Sequence, residues 1–288
     1  MPAPGASELT PRAATTPVYE LHHLEYRNAG DRECVPLQRF WGLASPTLER
    51  HEISYHSKQA AELENELVVL GGGGVLNPFD WPKVIVPLLE RGNRVMAWAI
   101  GHHHDHFHFD PAEVGDWRAS IERYEQEYAL ERLWIASVRD AGTRFEYVPC
   151  SSCMSEAFDG DYEPRHKTVI YGQGALDPIE IDGLPTMLNT WEASLEEILA
   201  FLGSAECVIT NSYHGAYWAT LLGRRVLVYE PWCSKWLLTP WPLTTCNRRN
   251  WRRRRRRAKA PPAMLADARG RNRAFAARVF EALAAEAR

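Results

Sequence analysis

The chain has 288 residues, of which 45% are hydrophobic and 24% are charged, and its formal net charge is −4. These values are typical of a globular protein with one large or two moderate domains, and the acidic balance argues against a general nucleic-acid binder. No apolar run reaches the roughly 18 residues that a membrane-spanning helix needs. We therefore expect a soluble, cytoplasmic protein.

The first elements indicate a tail followed by a buried strand. Residues 1–17 are rich in Pro, Ala and Thr and lack a signal-peptide pattern, so we predict a disordered tail there. The apolar run Leu67–Leu70 ends in the glycines 71–74, which indicates a strand that opens into a loop where backbone can approach a ligand. This loop has neither the G-x-G-x-x-G nor the Gly-Lys-Ser/Thr pattern of nucleotide sites.

Helix and strand patterns then alternate along the rest of the chain. Such alternation predicts parallel sheets with helices on both faces, that is, an α/β protein. The Pro- and Ser-rich segment 149–164 divides the pattern into lobes at 18–155 and 156–288, with a cleft between them. Helices are predicted at Trp81–Arg91, Glu113–Tyr128, Ala193–Leu202 and Ala263–Ala287, and strands at Arg94–Ile100, Leu133–Val138, Phe145–Val148, Thr168–Tyr171 and Cys207–Thr210.

A histidine cluster, His102–His108, follows the predicted strand Arg94–Ile100. Its position at the carboxyl end of a strand places it beside the predicted cleft, where His104 is a candidate substrate contact. Consecutive loop residues make a poor rigid scaffold for a metal, so we expect no specific metal site there.

The six cysteines include one close pair, Cys150-x-x-Cys153. A structural zinc site needs a second pair at similar spacing, which Cys233 and Cys246 do not supply. The pair also lacks the helix that follows a thioredoxin-like motif. We therefore predict reduced structural thiols, no metal and no cofactor.

Arginines crowd the region before the last predicted helix, at Arg248, Arg249 and Arg252–Arg257. Low-complexity charge runs are usually solvated, so we predict a loop here. The alternative is a contact between Arg252–Arg257 and an anionic membrane, which would place the protein at the periphery of the inner membrane surface.

The segment Cys207–Gly215 predicts a strand, a polar turn and the start of a helix, with His214 at the turn. In open parallel sheets ligands bind beyond the carboxyl ends of strands, and histidine is the usual proton carrier near neutral pH. The alternative is a histidine that only caps the helix.

Several segments, in the same order, resemble polysaccharide pyruvyl transferases. The segment at Asn28–Asp31 resembles their N-x-G-D motif, and Ser137–Asp140 resembles their S-x-R-D motif. The turn at 210–215 is similar to their signature histidine–glycine turn. Further matches are the glycine-rich segment 68–76, the proline/cysteine turn 147–154, Lys235 and the closing helix 264–279.

The resemblance implies a glycosyltransferase-B-like architecture of two Rossmann-like lobes. It also implies transfer of an enolpyruvyl unit from phosphoenolpyruvate, a co-substrate, to a sugar of a glycan or lipid-linked acceptor in surface polysaccharide assembly, as a cyclic ketal. His214 would then be the acid/base. The implied donor-binding residues are Arg139, Asn211, Ser212, Lys235, Gly72 and Gly73, and Asn28, Asp31 and His104 are the candidate acceptor contacts.

One position departs from the family pattern. Characterised members have an arginine two residues before the histidine, where this chain has Ser212. A lost hydrogen bond to a charged group costs roughly 1.5–3 kcal/mol. Either another cation compensates, such as the His102–His108 segment or Arg225, or the donor differs.

Two other functions therefore remain open. One is a glycosyltransferase of the same architecture that uses a nucleotide-sugar donor. The other is a non-catalytic carbohydrate-binding or scaffold protein, for which the eleven tryptophans and the arginine run would provide the surfaces. One architecture hosts many chemistries, so the fold alone does not separate the three.

Overall fold

The structure is a computed structural model that describes residues 15–24, 28–77, 81–103, 122, 126, 128, 130–174, 176–231, 233–241 and 243–287. Most of the predicted tail, the cluster histidines His104, His106 and His108, and most of the predicted helix Glu113–Tyr128 lie outside these residues.

The first sheet is built from residues 16–147, and every strand pair in it is parallel. Its order is β2-β1-β3-β5-β6-β7, and β4 also pairs with β5. Four residues in succession are buried in β3, as expected of a strand covered on both faces. The strands are β1 (Thr16–His22), β2 (Leu48–Ser54), β3 (Leu67–Leu70), β4 (Gly73–Leu76), β5 (Arg94–His102), β6 (Ile135–Val138) and β7 (Glu146–Tyr147).

Short helices join these strands. Asn28 and Ser57 cap two of them with their side chains, and Pro36 and Pro87 occupy first turns, where the missing N–H costs nothing. The helices are α1 (Ala29–Glu33), α2 (Pro36–Phe40), α3 (Lys58–Glu62) and α4 (Val86–Glu90), with 3₁₀ turns at Trp41–Leu43 and Leu130–Arg132 and a π turn at Trp81–Ile85.

The second sheet is also entirely parallel, in the order β12-β11-β10-β8-β9. The α/β class with two parallel sheets is thus confirmed, as expected of two Rossmann-like lobes in a glycosyltransferase-B-like arrangement. Its strands are β8 (Val169–Gln173), β9 (Thr186–Asn189), β10 (Cys207–Thr210), β11 (Arg225–Tyr229) and β12 (Thr245–Cys246). The helices around it are α5 (Leu195–Gly203) and α6 (Tyr213–Leu221), with 3₁₀ turns at Ser151–Met154, Glu156–Asp159 and Ser234–Leu237.

Two predicted boundaries differ from the structure. Thr16 and Pro17, which the sequence assigned to the tail, begin β1 and pair with β2. Gly73 and Gly74, which were predicted to lie in the loop, belong to β4. Glycine hides strand character in a sequence because it has no side chain to show alternation, and Gly73 keeps a positive φ of 113° within the strand.

The arginine run was predicted to be a loop, and that prediction was wrong. Residues Trp251–Arg257 form a helix, α7. Trp251 is buried and Arg252 stacks over its ring, so one aromatic anchor fixes a segment of good helix formers. Within the described residues, no helix combines the length and apolar character needed to cross a bilayer.

The last helix, α8 (Leu265–Glu286), follows the second sheet in sequence but packs on the first. Its apolar residues share a buried cluster with residues of β1, β3 and β5. Asn272 is fully buried in this contact, where it accepts a hydrogen bond from Trp98 Nε1 at 3.0 Å and donates one to the carbonyl of Pro149 at 3.0 Å. The helix therefore ties the two halves of the chain together.

We expect stability to depend on pH through Glu20 of β1. Its carboxylate accepts hydrogen bonds from Leu37 N at 2.7 Å and Arg50 Nε at 2.6 Å, but burial outweighs these contacts and raises its pKa from 4.5 to about 7. A raised pKa in the folded state favours the protonated form, so this contribution is complete below pH 4.5 and is lost as the pH rises through about 7.

Glu20→Gln removes the titration. Its free energy of unfolding, measured by urea denaturation, is therefore expected to rise relative to wild type between pH 4.5 and pH 8, by roughly 3 kcal/mol at about 1.4 kcal/mol per pKa unit. A difference that does not change with pH would contradict this assignment.

Candidate functional site

The polar residues that carry chemistry lie where strands of both sheets end. Arg139 follows β6 directly, and Asn211 follows β10. His214 is the second residue of α6, the helix that follows β10. Carboxyl ends of parallel strands are the ligand-binding edge of α/β proteins. The predicted position of His214 and Arg139 is therefore the one that the structure gives.

The turn before His214 is held by hydrogen bonds. Ser212 caps α6: its Oγ accepts from Gly215 N at 3.3 Å, and it also accepts from Asn189 Nδ2 at 3.0 Å. Asn211 Oδ1 accepts from Gln173 N at 2.7 Å. Ser212 is thus buried, and its hydroxyl oxygen accepts two hydrogen bonds.

Two thiols and an imidazole converge in the interior where the lobes meet. Cys34 Sγ lies 3.3 Å from Cys150 Sγ and 3.2 Å from His214 Nε2. The three ligand atoms all lie within 4.8 Å of one another. Cys34 and Cys150 are each 1% exposed and His214 is 6% exposed. The sequence prediction did not bring these residues together, because they are 116 and 180 positions apart.

Hydrogen bonds or close packing hold each member of this cluster in place. The carbonyl of Cys34 accepts a hydrogen bond from Gly72 N at 3.0 Å, so the glycine turn after β3 holds Cys34. Tyr217 Oη donates to the carbonyl of Cys150 at 3.0 Å. A Cβ at Gly30 would overlap the imidazole of His214, so only glycine lets α1 approach that ring.

The two thiols of the cluster differ in acidity. The hydrogen bond with Cys150, together with burial, raises the pKa of Cys34. Hydrogen bonds from Cys34, His214 and Ser152 lower the pKa of Cys150 well below its usual value, although burial opposes this. Three donors around one sulfur stabilise a thiolate. Cys150 is therefore the more acidic of the two thiols.

Arg139 is a buried cation beside this cluster. Its guanidinium carbon lies 4.3 Å from the ring centroid of Tyr213, the first residue of α6. Burial disfavours its charge, but the neighbouring Tyr213 and Cys34 outweigh that and raise its pKa. Its Nε and Nη1 are buried and have no hydrogen-bond partner within the described part of the chain. Buried donors without a partner are rare, and a ligand is one explanation.

The other predicted site residues lie in several different places. Asn28 Nδ2 donates a hydrogen bond to Asp31 Oδ2 at 2.6 Å, and the Asn28 side chain caps α1 by accepting from Asp31 N. These polar atoms therefore stabilise the start of the helix. Lys235 lies in the turn 234–237 after β11, next to Trp236, whose ring contacts Tyr213. His104 lies outside the described residues. Gly73 lies at the start of β4.

Neither Arg225 nor His102 simply replaces the arginine that is missing at position 212. Arg225 pairs with Cys207 at the amino-terminal ends of β10 and β11, and its guanidinium bonds to Glu206 at 2.8 Å. It lies at the wrong edge of the sheet. His102 is buried, and its Nδ1 lies 2.8 Å from Asp140 Oδ2. Arg139, unlike Arg225, lies against the histidine turn, with its guanidinium carbon 4.3 Å from the ring centroid of Tyr213.

Sequence reasoning missed Asn189, which links the parts of the site. Its Oδ1 accepts from Ala29 N at 3.2 Å and from Tyr171 Oη at 3.0 Å, and its Nδ2 donates to Gln173 and Ser212. It ends β9, a short edge strand with mixed burial and no clear alternation. In the sequence, only its position at the end of a strand could have indicated that Asn189 belongs to the site.

The close cysteine pair does not act as a unit. Cys150 points into the cluster, whereas Cys153 lies against Asn272 Nδ2 at 3.4 Å, and burial raises its pKa to about 12. All six cysteines are buried and free. The predicted reduced state agrees with these free thiols, and Cys34 and Cys150 also contact each other.

Comparison with known proteins gives structural likeness only. No family model matches the chain, and no curated protein matches it. The chain is similar to the structure of a functional uncharacterized protein from Klebsiella pneumoniae subsp. pneumoniae NTUH-K2044, at 14% identity and a TM-score of 0.43, over 76% of this chain and 84% of that chain. It is also similar to the glycotransferase of kitacinnamycin, at 10% identity and a TM-score of 0.48, over 94% of this chain and 98% of that one.

Proposed function

We propose that this protein is a transferase that moves an enolpyruvyl unit from phosphoenolpyruvate to a sugar of a surface polysaccharide, forming a cyclic ketal. The observation that carries the proposal is the buried guanidinium of Arg139, whose Nε and Nη1 have no partner among the described residues. It lies beside the start of α6, which carries His214. Charged N–H donors and a helix N-terminus together favour a small dianion or trianion.

Phosphoenolpyruvate meets these requirements because it carries a carboxylate and a phosphate on a three-carbon frame. The guanidinium of Arg139 provides charged N–H donors for the carboxylate. The amino end of α6 and Lys235, at the same edge of the second sheet, supply positive potential for the phosphate. Asn211 and Ser212 contribute by fixing the turn rather than through free side-chain atoms.

The reaction balances without a further reactant. C3 of the donor gains one proton, which leaves C2 cation-like, and a sugar hydroxyl oxygen bonds to C2. A second hydroxyl of the same sugar then bonds to C2 as the C2–O bond to phosphate breaks. The two hydroxyls lose two protons, of which one appears on C3 and the other leaves with phosphate. His214 is the proposed proton carrier in this sequence.

Ligand-dependent stability tests the proposal. We expect the melting temperature to rise with phosphoenolpyruvate and not with UDP, GDP or UDP-glucose, because a ligand at about 100 times its Kd adds roughly 2.7 kcal/mol. Phosphate release from phosphoenolpyruvate in the presence of sugar acceptors is the matching activity assay. His214→Gln should bind the donor but release little phosphate.

The alternatives give different outcomes in the same experiment. Stabilisation by a nucleotide or nucleotide-sugar, without any by phosphoenolpyruvate, would replace the proposal with a glycosyltransferase that uses a nucleotide-sugar donor. Binding of glycans with no turnover of either donor would favour a carbohydrate-binding protein.

A further inference from the structure

The cluster of Cys34, Cys150 and His214 has a geometry that enolpyruvyl transfer does not require. A proton carrier needs one imidazole, yet here the Cys34 thiol lies 3.2 Å from Nε2 of His214, and a second thiol, that of Cys150, lies 3.3 Å from the first. All three side chains are buried. Apolar side chains would fill the same space at no desolvation cost. The convergence therefore calls for a ligand that attracts sulfur and nitrogen together.

We infer that Cys34, Cys150 and His214 bind a zinc ion through the two Sγ atoms and Nε2. Zinc bonds to cysteine sulfur at about 2.3 Å and to histidine nitrogen at about 2.0–2.1 Å, so tetrahedral ligand atoms lie roughly 3.4–3.8 Å apart. The distances of 3.3 Å between the sulfurs and 3.2 Å between Cys34 Sγ and His214 Nε2 need only a small expansion to meet this.

The ligand types select the metal. Thiolate and imidazole favour zinc over magnesium or calcium, which take oxygen ligands. Cys150 already has the hydrogen bonds that stabilise its thiolate, and Cys34 lies directly against it. Zinc binding would release the proton of the Cys34 thiol, and the two thiolates would neutralise the charge of the ion. Three protein ligands leave a fourth position for water.

The surrounding residues support a defined site rather than a chance meeting of thiols. Ser152 Oγ lies 3.2 Å from Cys150 Sγ and itself accepts a hydrogen bond from Trp218 Nε1 at 3.0 Å. Gly72 fixes the backbone of Cys34, and Gly30 lies against the other face of His214. Such outer contacts orient metal ligands and contribute to affinity.

Zinc at this site goes beyond the proposed function and limits it. With zinc on Nε2, His214 cannot carry a proton at that atom. The zinc-loaded and the proton-transferring forms of the imidazole are therefore mutually exclusive. The ion also joins Cys34, from the lobe of the first sheet, to His214, from the lobe of the second.

Cobalt binding tests the inference without any substrate. Reduced, metal-stripped full-length protein is titrated with Co²⁺. We expect one equivalent to produce the near-ultraviolet sulfur-to-cobalt charge-transfer band and the visible bands of tetrahedral cobalt. Zn²⁺ should then displace the cobalt and raise the melting temperature. Phosphoenolpyruvate is absent throughout, so the result is independent of the proposed function.

Variants assign the ligands. Cys34→Ser, Cys150→Ser and His214→Ala should each weaken cobalt binding by more than the roughly 10- to 100-fold that loss of an outer-shell contact costs. Cys153→Ser and Cys246→Ser replace buried free cysteines outside the cluster and should keep the full signal.

Two results would overturn the inference. The first is wild-type protein that shows no sulfur-to-cobalt band although its thiols are titratable and reduced. The second is a band of unchanged strength in both Cys34→Ser and Cys150→Ser. The wild-type titration stands by itself, so a variant that fails to fold does not decide the question.

Discussion

Replacing Arg139 by methionine is expected to remove stabilisation by phosphoenolpyruvate and to lower phosphate release at least about a hundredfold. The guanidinium would offer the donor two hydrogen bonds from Nε and Nη1, and a hydrogen bond to a charged group is worth roughly 1.5–3 kcal/mol. Arg139→Lys keeps the charge but replaces the separate N–H groups of the guanidinium with one ammonium, so we expect an intermediate loss. Melting curves with the donor and a phosphate-release assay measure both effects.

The same substitution should leave the ligand-free protein as stable as wild type, or more stable. A buried cation without hydrogen-bond partners on two nitrogens costs desolvation, and methionine of similar length removes that cost. Its cation–π contact with Tyr213 is a small loss by comparison. Lower stability together with unchanged donor binding would mean that Arg139 is structural.

Arg225→Met is the matched control. Arg225 is an arginine at the opposite edge of the second sheet, and its partner is the exposed Glu206. Its removal should change neither donor binding nor phosphate release. A loss equal to that of Arg139→Met would show that general positive charge, rather than the position of Arg139, attracts the donor.

Gly30→Ala should damage the site through packing alone. A Cβ at this position would overlap Nδ1 of His214, so the methyl group must push α1 and α6 apart. Overpacking of a close contact costs typically 1–3 kcal/mol. We expect a comparable loss in the free energy of unfolding, together with loss of cobalt binding and of phosphate release, because both depend on the position of His214.

Gly270→Ala provides the control for adding a methyl group to a helix. Gly270 is exposed on α8, and a Cβ there meets nothing within 4 Å. Alanine should stabilise this helix by roughly 0.5–1 kcal/mol and leave metal and donor binding unchanged. If Gly30→Ala behaves like Gly270→Ala, the contact between α1 and His214 does not hold the site together.

The sequence predicted the fold class because the pattern of apolar runs survives in most strands. The four buried residues of β3 and of β10 gave strong signals. The strand β1 was missed because Glu20 and His22 are buried polar residues, which break the apolar pattern. Arg50 and Glu52 of β2 offset part of their desolvation cost, through a pairing that only the tertiary structure reveals.

Part of the candidate site was predictable from the sequence, because the features that position it lie close together in one segment. The turn that ends in His214 has its strand, cap and helix within about ten residues, and Arg139 follows a strand directly. The role of Cys34 was not predictable, since nothing local joins it to Cys150 and His214. Ser212 was predicted to touch the donor, but its hydroxyl is committed to Gly215 and Asn189.

The position of α8 has a consequence for the order in which the protein matures during synthesis. The first sheet leaves the ribosome early, yet part of the apolar surface around Trp98 is covered by a helix that begins only at Leu265. Until that helix is made, the first lobe exposes a surface that binds other apolar chains. The lobe that is translated first is therefore the last to complete its core, and nascent chains halted before Leu265 should be chaperone substrates.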